Sequence, residues 1–351
     1  MQKEINDITL NNRRHRIPEC MYKLKLVDIP CDCRNDGQVA AKKILHTGSN
    51  TRPIVVYNNC RRTAYAAFIR QLREPPPYSQ KMVQAYHRHC DKIFDQRIKP
   101  IIHDFIYDTG EWMNHLTSLN KQLEVEPFYL GLKTEKELLN TNYSIFCKRE
   151  IQIAENGKMP KNRAISAAPA SEKWVKGPVI FKLEYLFKRK LHGYGVCDDG
   201  YASNWEEKEA VFAKRWKDGY RYAVDADGSA WDTTQQYHMK YIINKVYKYL
   251  YDNEKIKHVD PDIFLNVATK RYKNIVYTNY ESGTPKRELI ATVDSTTFSG
   301  SPETTWANTL AMMSVNSFAM EYAGYETEQY KNDNLGDDCG IYMTELKKKK
   351  K

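Results

Sequence analysis

Apolar and polar positions along this chain follow two periods, and the switches between them mark out elements. Arg221 to Asp227 reads as a short strand ending in acid, with Asp225 and Asp227 on the same parity. Tyr237, Ile242, Ile243, Val246, Tyr247 and Leu250 then recur at three- and four-residue spacing, which predicts a helix. Tyr272 to Val293 alternates about a break at Ser282-Gly283-Thr284-Pro285, which predicts a hairpin. A Ser299-Gly300 loop opens a further helix, with Pro302 suited to its first turn and Glu303 to its positive start. Thr304 and Asn308 are four apart, so they share a helical face ahead of apolar Leu310, Ala311, Met313 and Phe318. Two short strands then meet at the glycine turn of Gly336-Asp337-Asp338. Strands packed on helices make the expected class α+β.

The upstream half is richer in helix. Asn58 to Tyr107 is mostly helical in pattern, broken by Pro75-Pro76-Pro77, with one helix starting near Asn59. Glu111–Leu123 and Thr134–Asn140 read as helices. So does Trp174–Leu191, although Gly177-Pro178 leaves its start open. Residues 1 to about 50 look loop-rich.

Each polar cluster carries two readings. Paired carboxylates at a tight turn suit Mg²⁺, which takes oxygen ligands, but a bare Gly-Asp-Asp is also an ordinary solvated loop. Asp232 stands where a helix begins, and with Gln235 it fits a capping box. Thr304 and Asn308 are either recognition groups or incidental polar residues beside a cap. Lys148, Glu150, Lys158, Lys161 and Arg163 form a basic segment that suits phosphate or merely a basic hairpin.

Taken in order, these segments resemble the palm of viral RNA-dependent RNA polymerases of positive-strand viruses, with a tombusvirus-like flavour. The resemblance rests on Asp227 and Asp232, then Ser299, Gly300, Thr304 and Asn308, then Gly336-Asp337-Asp338. Lys148, Glu150, Lys161 and Arg163 resemble the family's basic finger motif, which contacts the incoming triphosphate. The resemblance implies a right-hand fold, with helix-rich fingers and a palm built on an antiparallel sheet. It implies two Mg²⁺ (or Mn²⁺) ions on the catalytic residues Asp227, Asp337 and Asp338, with Asp225 auxiliary. It implies nucleotide binding by Asp232, Ser299, Gly300, Thr304 and Asn308, with ribose selection by Asp232 and Asn308, helped by Ser299 and Thr304.

The implied division is an N-terminal extension over 1–50 and fingers over 51–220. A palm over 221–346 follows, with a fingers segment at 255–295 interleaved, and then a poly-lysine tail over 347–351. The family's general-acid lysine finds no match, and only Cys339–Lys351 follow the aspartate pair. The expectation is therefore a chain without its thumb, an incomplete polymerase that extends primers poorly alone. Implied partners are template and nascent RNA, nucleoside triphosphates and other replicase subunits, in host cytoplasm or at a membrane through a partner. The alternatives are a reverse transcriptase and a non-catalytic RNA-binding palm remnant.

Bulk properties fit a polyanionic partner. The 351 residues carry 54 Lys and Arg against 44 Asp and Glu, a formal charge of +10, with a pI near 9.0. No apolar run is long enough for a membrane span. Eight cysteines show no framework. Cys31, Cys33, Cys60 and His87-Arg88-His89-Cys90 match no common zinc spacing, so surface histidines and buried thiols are the expectation.

Overall fold

The computed structural model describes residues 22–23, 40–42, 54–56, 78–116, 118–147, 152–153, 164–191, 194, 205–227, 231, 235–279, 286–336 and 338–346. Its class is α+β. In chain order the first elements are β1 (Tyr22–Lys23), β2 (Ala40–Lys42), β3 (Ile54–Val56), α1 (Gln80–Ile93), α2 (Lys99–Ile102), α3 (Thr109–His115), α4 (Leu119–Tyr129) and α5 (Glu135–Leu138). Then come β4 (Asn142–Cys147), β5 (Gln152–Ile153), β6 (Ala164–Ala167), α6 (Ala170–Lys190) and α7 (Trp205–Lys217). The last part holds β7 (Tyr222–Asp227), α8 (Tyr241–Asp252), α9 (Pro261–Ala268), β8 (Tyr272–Asn279), β9 (Lys286–Asp294), α10 (Thr304–Tyr322), β10 (Tyr330–Leu335) and β11 (Asp338–Met343).

Among the described residues the strands form three sheets, ordered β1-β9-β8-β4-β6, β10-β11-β7 and β2-β3-β5. The hairpin expected over 272–293 is β8 and β9, antiparallel with a register shift at Ile275/Val276; its turn residues lie outside those described. A main core joins α1, α6, α8, α9 and α10 through residues such as Ile93, Val179, Leu183, Tyr247, Phe264 and Trp306. On α8 the predicted stripe is buried at Ile242, Ile243, Val246, Tyr247 and Leu250, whereas Tyr237 belongs to the 3-10 turn before it. Among the described residues no helix is long and apolar enough to cross a membrane.

Several boundaries move for local reasons. The expected Glu111–Leu123 helix is two helices, because Asp108 caps one at Glu111 and Ser118 caps another at Lys121. Thr134 and Glu137 close a capping box, so the next helix is only Glu135–Leu138. The short strands β1 and β2 fall within the stretch expected to be loop-rich. The helix expected from Asn59 lies outside the described residues, as do Cys31, Cys33 and Cys60.

Helix α6 runs straight through Gly177-Pro178. A Cβ on Gly177 would stand 2.4 Å from the Trp112 ring, so glycine is what lets that indole pack here. Pro178 lacks the N–H that would bond the Trp174 carbonyl. His258 Nε2 replaces it, 3.1 Å from the carbonyls of both Trp174 and Val175.

The histidines expected at the surface are more covered than that. His89 is buried between Ser317 Oγ (2.9 Å) and Glu321 Oε2 (3.2 Å) on α10, and His87 stacks on Tyr241. Cys90 and Cys339 are buried thiols outside any disulfide, as expected for the cysteines.

Candidate functional site

The C-terminal sheet gathers the acidic segments. Strand β11 lies between β10 and β7 and is antiparallel to both. Asp338 opens β11 and pairs in register with Asp227, the last residue of β7. Directly opposed antiparallel residues have Cα atoms about 4.5–5.5 Å apart. Gly336 makes the turn with φ at +64°, a shape glycine adopts without cost. Asp337 lies outside the described residues; it is joined directly to both Gly336 and Asp338.

Two residue pairs further along, Gly340 of β11 stands between Asp333 of β10 and Asp225 of β7. Asp225 and Asp338 are exposed. Asp333 is buried and paired at 2.9 Å with the equally buried Arg215 of α7. The edge facing solvent therefore holds carboxylates, and the inner acid is already neutralised.

Helix α10 carries the hairpin. The Thr309 hydroxyl accepts from the Gly336 N–H at 2.9 Å while donating to the Thr305 carbonyl at 2.7 Å. Asn316 Nδ2 donates to buried Asn334 Oδ1 at 2.7 Å. Thr309 has no part in the sequence reading. Its signal was a hydroxyl inside an otherwise apolar run, Leu310-Ala311 and onward.

The Ser299-Gly300 loop meets a different strand. Gly300 forms a parallel bridge with Ala167 at the end of β6, and the Ala168 N–H donates to the Gly300 carbonyl at 3.2 Å. A Cβ at Gly300 would lie 2.6 Å from the Ser166 carbonyl oxygen. The loop is thus pressed onto the strand that follows the basic segment. Lys148, Glu150, Lys161 and Arg163 of that segment lie outside the described residues.

Ser299 itself is exposed. The Thr304 hydroxyl donates to the carbonyls of Phe298 (2.6 Å) and Ser301 (2.8 Å), closing the loop on itself. Asn308 is buried, and its Oδ1 accepts from Gln235 Nε2 at 2.5 Å. Gln235 Oε1 in turn accepts from Thr297 at 2.8 Å. Asn308 therefore joins the loop to the segment after Trp231, three residues beyond Asp232. Asp232 lies outside the described residues. Gln235 is not helical, so it does not complete a capping box for the long helix.

No known family model and no curated protein sequence matches this chain.

Under the loop sits a buried charge cluster that patterning does not reveal. Pro302 and Glu303 form a turn just before α10, and Glu303 is its N-cap. Glu303 is buried, not solvated at a helix start. It accepts from Tyr247 at 2.9 Å and pairs with Lys176 at 3.1 Å and Lys273 at 3.4 Å. Lys176 also pairs with Glu172 one helical turn earlier, and Tyr143 donates to Glu172 at 2.6 Å.

Two buried lysines thus balance two buried glutamates. Burial alone would raise both carboxylates, yet Lys176 and Lys273 hold Glu172 and Glu303 below the usual range. Burial likewise opposes the charge on Lys176 and Lys273, and the glutamates overcome it. Half-buried Lys240 borders the cluster, where burial and then Lys273 bring its ammonium down to about 7.

Chemically, the C-terminal edge offers oxygen donors of the kind hard divalent cations prefer. Among the described residues no group of three or more His, Cys, Asp and Glu side chains closes around a metal position. Asp225, Asp227 and Asp338 are the described acids on the β7–β11 strand pair.

Proposed function

We propose that this chain carries the palm and adjoining fingers of an RNA-dependent RNA polymerase and joins ribonucleotides on an RNA template. The observation that carries this reading is the register of Asp227 against Asp338 beside the Gly336 turn. Two acid-bearing segments more than a hundred residues apart end at one sheet edge. The contact of the Ser299-Gly300 loop with β6 adds support, since it joins the second palm segment to the strand leaving the basic segment.

In this reading the right-hand arrangement has its palm over 221–346, its fingers over 51–220 and an interleaved fingers segment at 255–295. Asp227, Asp337 and Asp338 would hold two Mg²⁺ or Mn²⁺ ions, with Asp225 beside them. Such ions make a hydroxyl more nucleophilic and offset charge on a departing pyrophosphate. Lys148, Glu150, Lys161 and Arg163 serve the incoming triphosphate, by contact or by bracing the strand that makes it. Ser299 presents an exposed hydroxyl at the loop. Thr304 fixes the loop that carries it. Asn308, held by Gln235, and Asp232 set the ribose side, where the 2′-hydroxyl separates RNA from DNA.

The test is incorporation of ribonucleotides and deoxyribonucleotides on a primed RNA template, with Mn²⁺ binding followed by electron paramagnetic resonance. Expected are Mn²⁺ binding that Asp337→Asn abolishes and incorporation, where present, confined to ribonucleotides. Incorporation that survives Asp337→Asn, or Mn²⁺ binding indifferent to it, defeats the proposal. A preference for deoxyribonucleotides would make the chain a reverse transcriptase instead.

A further inference from the structure

Helix α6 presents a basic stripe, with Tyr185 and Arg189 exposed and Lys182 half-buried, that none of the chemistry above uses. Lys182, Tyr185 and Arg189 are spaced three and four apart, so they line one face over roughly 10 Å of axis. The opposite face is the core side, with Val179, Ile180, Leu183 and Phe187 buried. Tyr185 is 43% exposed. The Arg189 guanidinium lies 4.1 Å from its ring centroid and the Lys182 ammonium 5.2 Å. Lys190 is exposed beside them. The nearby acid, Glu184, is bound to Lys188 at 2.7 Å.

Basic residues in a last turn complement the helix dipole, and that accounts for Lys188, Arg189 and Lys190. It does not account for Lys182, two turns earlier, or for a solvent-facing tyrosine held between two cations. Cations stacked on an aromatic ring lose little further freedom on meeting a ligand. A guanidinium plane offers one face to a base and its N–H edges to phosphate. Such pairing of stacking surface with positive charge suits single-stranded nucleic acid.

We infer that the Lys182-Tyr185-Arg189 face of α6 is a contact surface for single-stranded RNA, apart from the acidic edge. The inference rests on the proposed RNA substrate, and it adds a place where that strand touches the protein.

The experiment is anisotropy titration of the full chain with a fluorescein-labelled 20-nucleotide oligouridylate across a salt series. Lys182→Gln/Arg189→Gln is compared with Lys248→Gln/Lys257→Gln, which removes the same charge from α8 and the loop after it. Each phosphate contact contributes about 0.7 to the slope of log affinity against log salt. The α6 pair is expected to lower that slope by about 1.4 and to weaken binding at least severalfold. The control pair should change both much less. Tyr185→Ala should weaken binding without altering the slope.

Equal effects of the two charge pairs would reduce the stripe to general electrostatics and overturn the inference. So would an unchanged slope in the α6 pair, which would leave the stripe to some other partner such as a protein. Neither result touches the Asp337→Asn test, so the two readings fail separately.

Discussion

Asp227 stands opposite Asp338 in the register of β7 and β11, at the end where Gly336 turns the chain. Carboxylates concentrated at one edge repel unless a cation holds them, so the two positions should act as a unit. Asp227→Asn and Asp338→Asn are each expected to reduce nucleotide incorporation by two orders of magnitude or more, the scale set by one preorganised charged group. The double variant should lose little beyond either single one, because a shared ion is already lost. A double-variant cycle on Mn²⁺ binding checks this. Strictly additive losses would mean the two aspartates serve separate sites. Asp338 is exposed, so the unfolding midpoint of its variant should barely move.

Gly300 and Gly336 are glycines for different reasons, and alanine should separate them. At Gly300 a Cβ would sit 2.6 Å from the Ser166 carbonyl, a backbone atom that cannot step aside. Gly300→Ala should push the loop off β6, lose the Ala168–Gly300 hydrogen bond and cost about 1–3 kcal/mol. At Gly336 nothing lies within 4 Å of the added atom, and only the positive φ opposes it. Gly336→Ala should cost about 1–2 kcal/mol, and Gly336→Asn less, since Asn tolerates that conformation. Urea denaturation of the three variants is the measurement. Equal costs for Gly336→Asn and Gly336→Ala would remove the conformational argument.

The parts of the fold that patterning exposed are those set by local chemistry. The strand ending in Asp227, the apolar stripe of α8, the hairpin of β8 and β9 and the glycine turn all follow from period and turn residues. The acidic edge was legible as order along the chain, because the two segments carry their acids at strand ends. What stayed hidden depends on distant partners. Glu172 and Lys176 look like charges interrupting an apolar helix until Lys273 arrives from β8 and Glu303 from the N-cap of α10. Pro178 looks like a helix break until His258 supplies the missing donor. Asn308 reads as a recognition group, yet its carbonyl oxygen is held by Gln235.

That buried cluster gives a stability prediction. Lys176 is fully buried between Glu172 and Glu303. Lys176→Met would leave two buried glutamates facing Lys273, with Lys240 at the border, and removal of one partner from such a group costs about 3–5 kcal/mol. Lys176→Met combined with Glu172→Gln should recover much of that loss, because charge balance returns. Lys248, mostly exposed beside Asp252, should lose less than about 1 kcal/mol on replacement by Gln. Midpoints in guanidinium chloride rank the variants. A double variant no more stable than Lys176→Met would show that packing, not charge balance, sets the cost.

His258 gives the fold a pH dependence with a defined sign. Its Nε2 meets two carbonyl oxygens, which only accept, so Nε2 carries the hydrogen and donates. Its Nδ1 then accepts from the Tyr107 hydroxyl at 2.6 Å, and that hydroxyl accepts from the Lys257 N–H at 2.8 Å. Burial, only partly offset by the two carbonyls, lowers the imidazole from 6.5 to about 4. The ring is therefore neutral in the fold. Below about pH 6.5 the unfolded chain binds a proton that the folded chain refuses. The stabilisation is complete above that pH and is lost as pH falls towards 4, by on the order of 3 kcal/mol. His258→Phe should remove this part of the pH dependence. At pH 7 it should cost about 1–3 kcal/mol, because the Trp174 carbonyl loses its donor. Comparing wild type with His258→Phe cancels the other titrating groups, His89 among them. The stability gap between the two should narrow from pH 7 to pH 5, and a constant gap would show that His258 takes no part in the acid response.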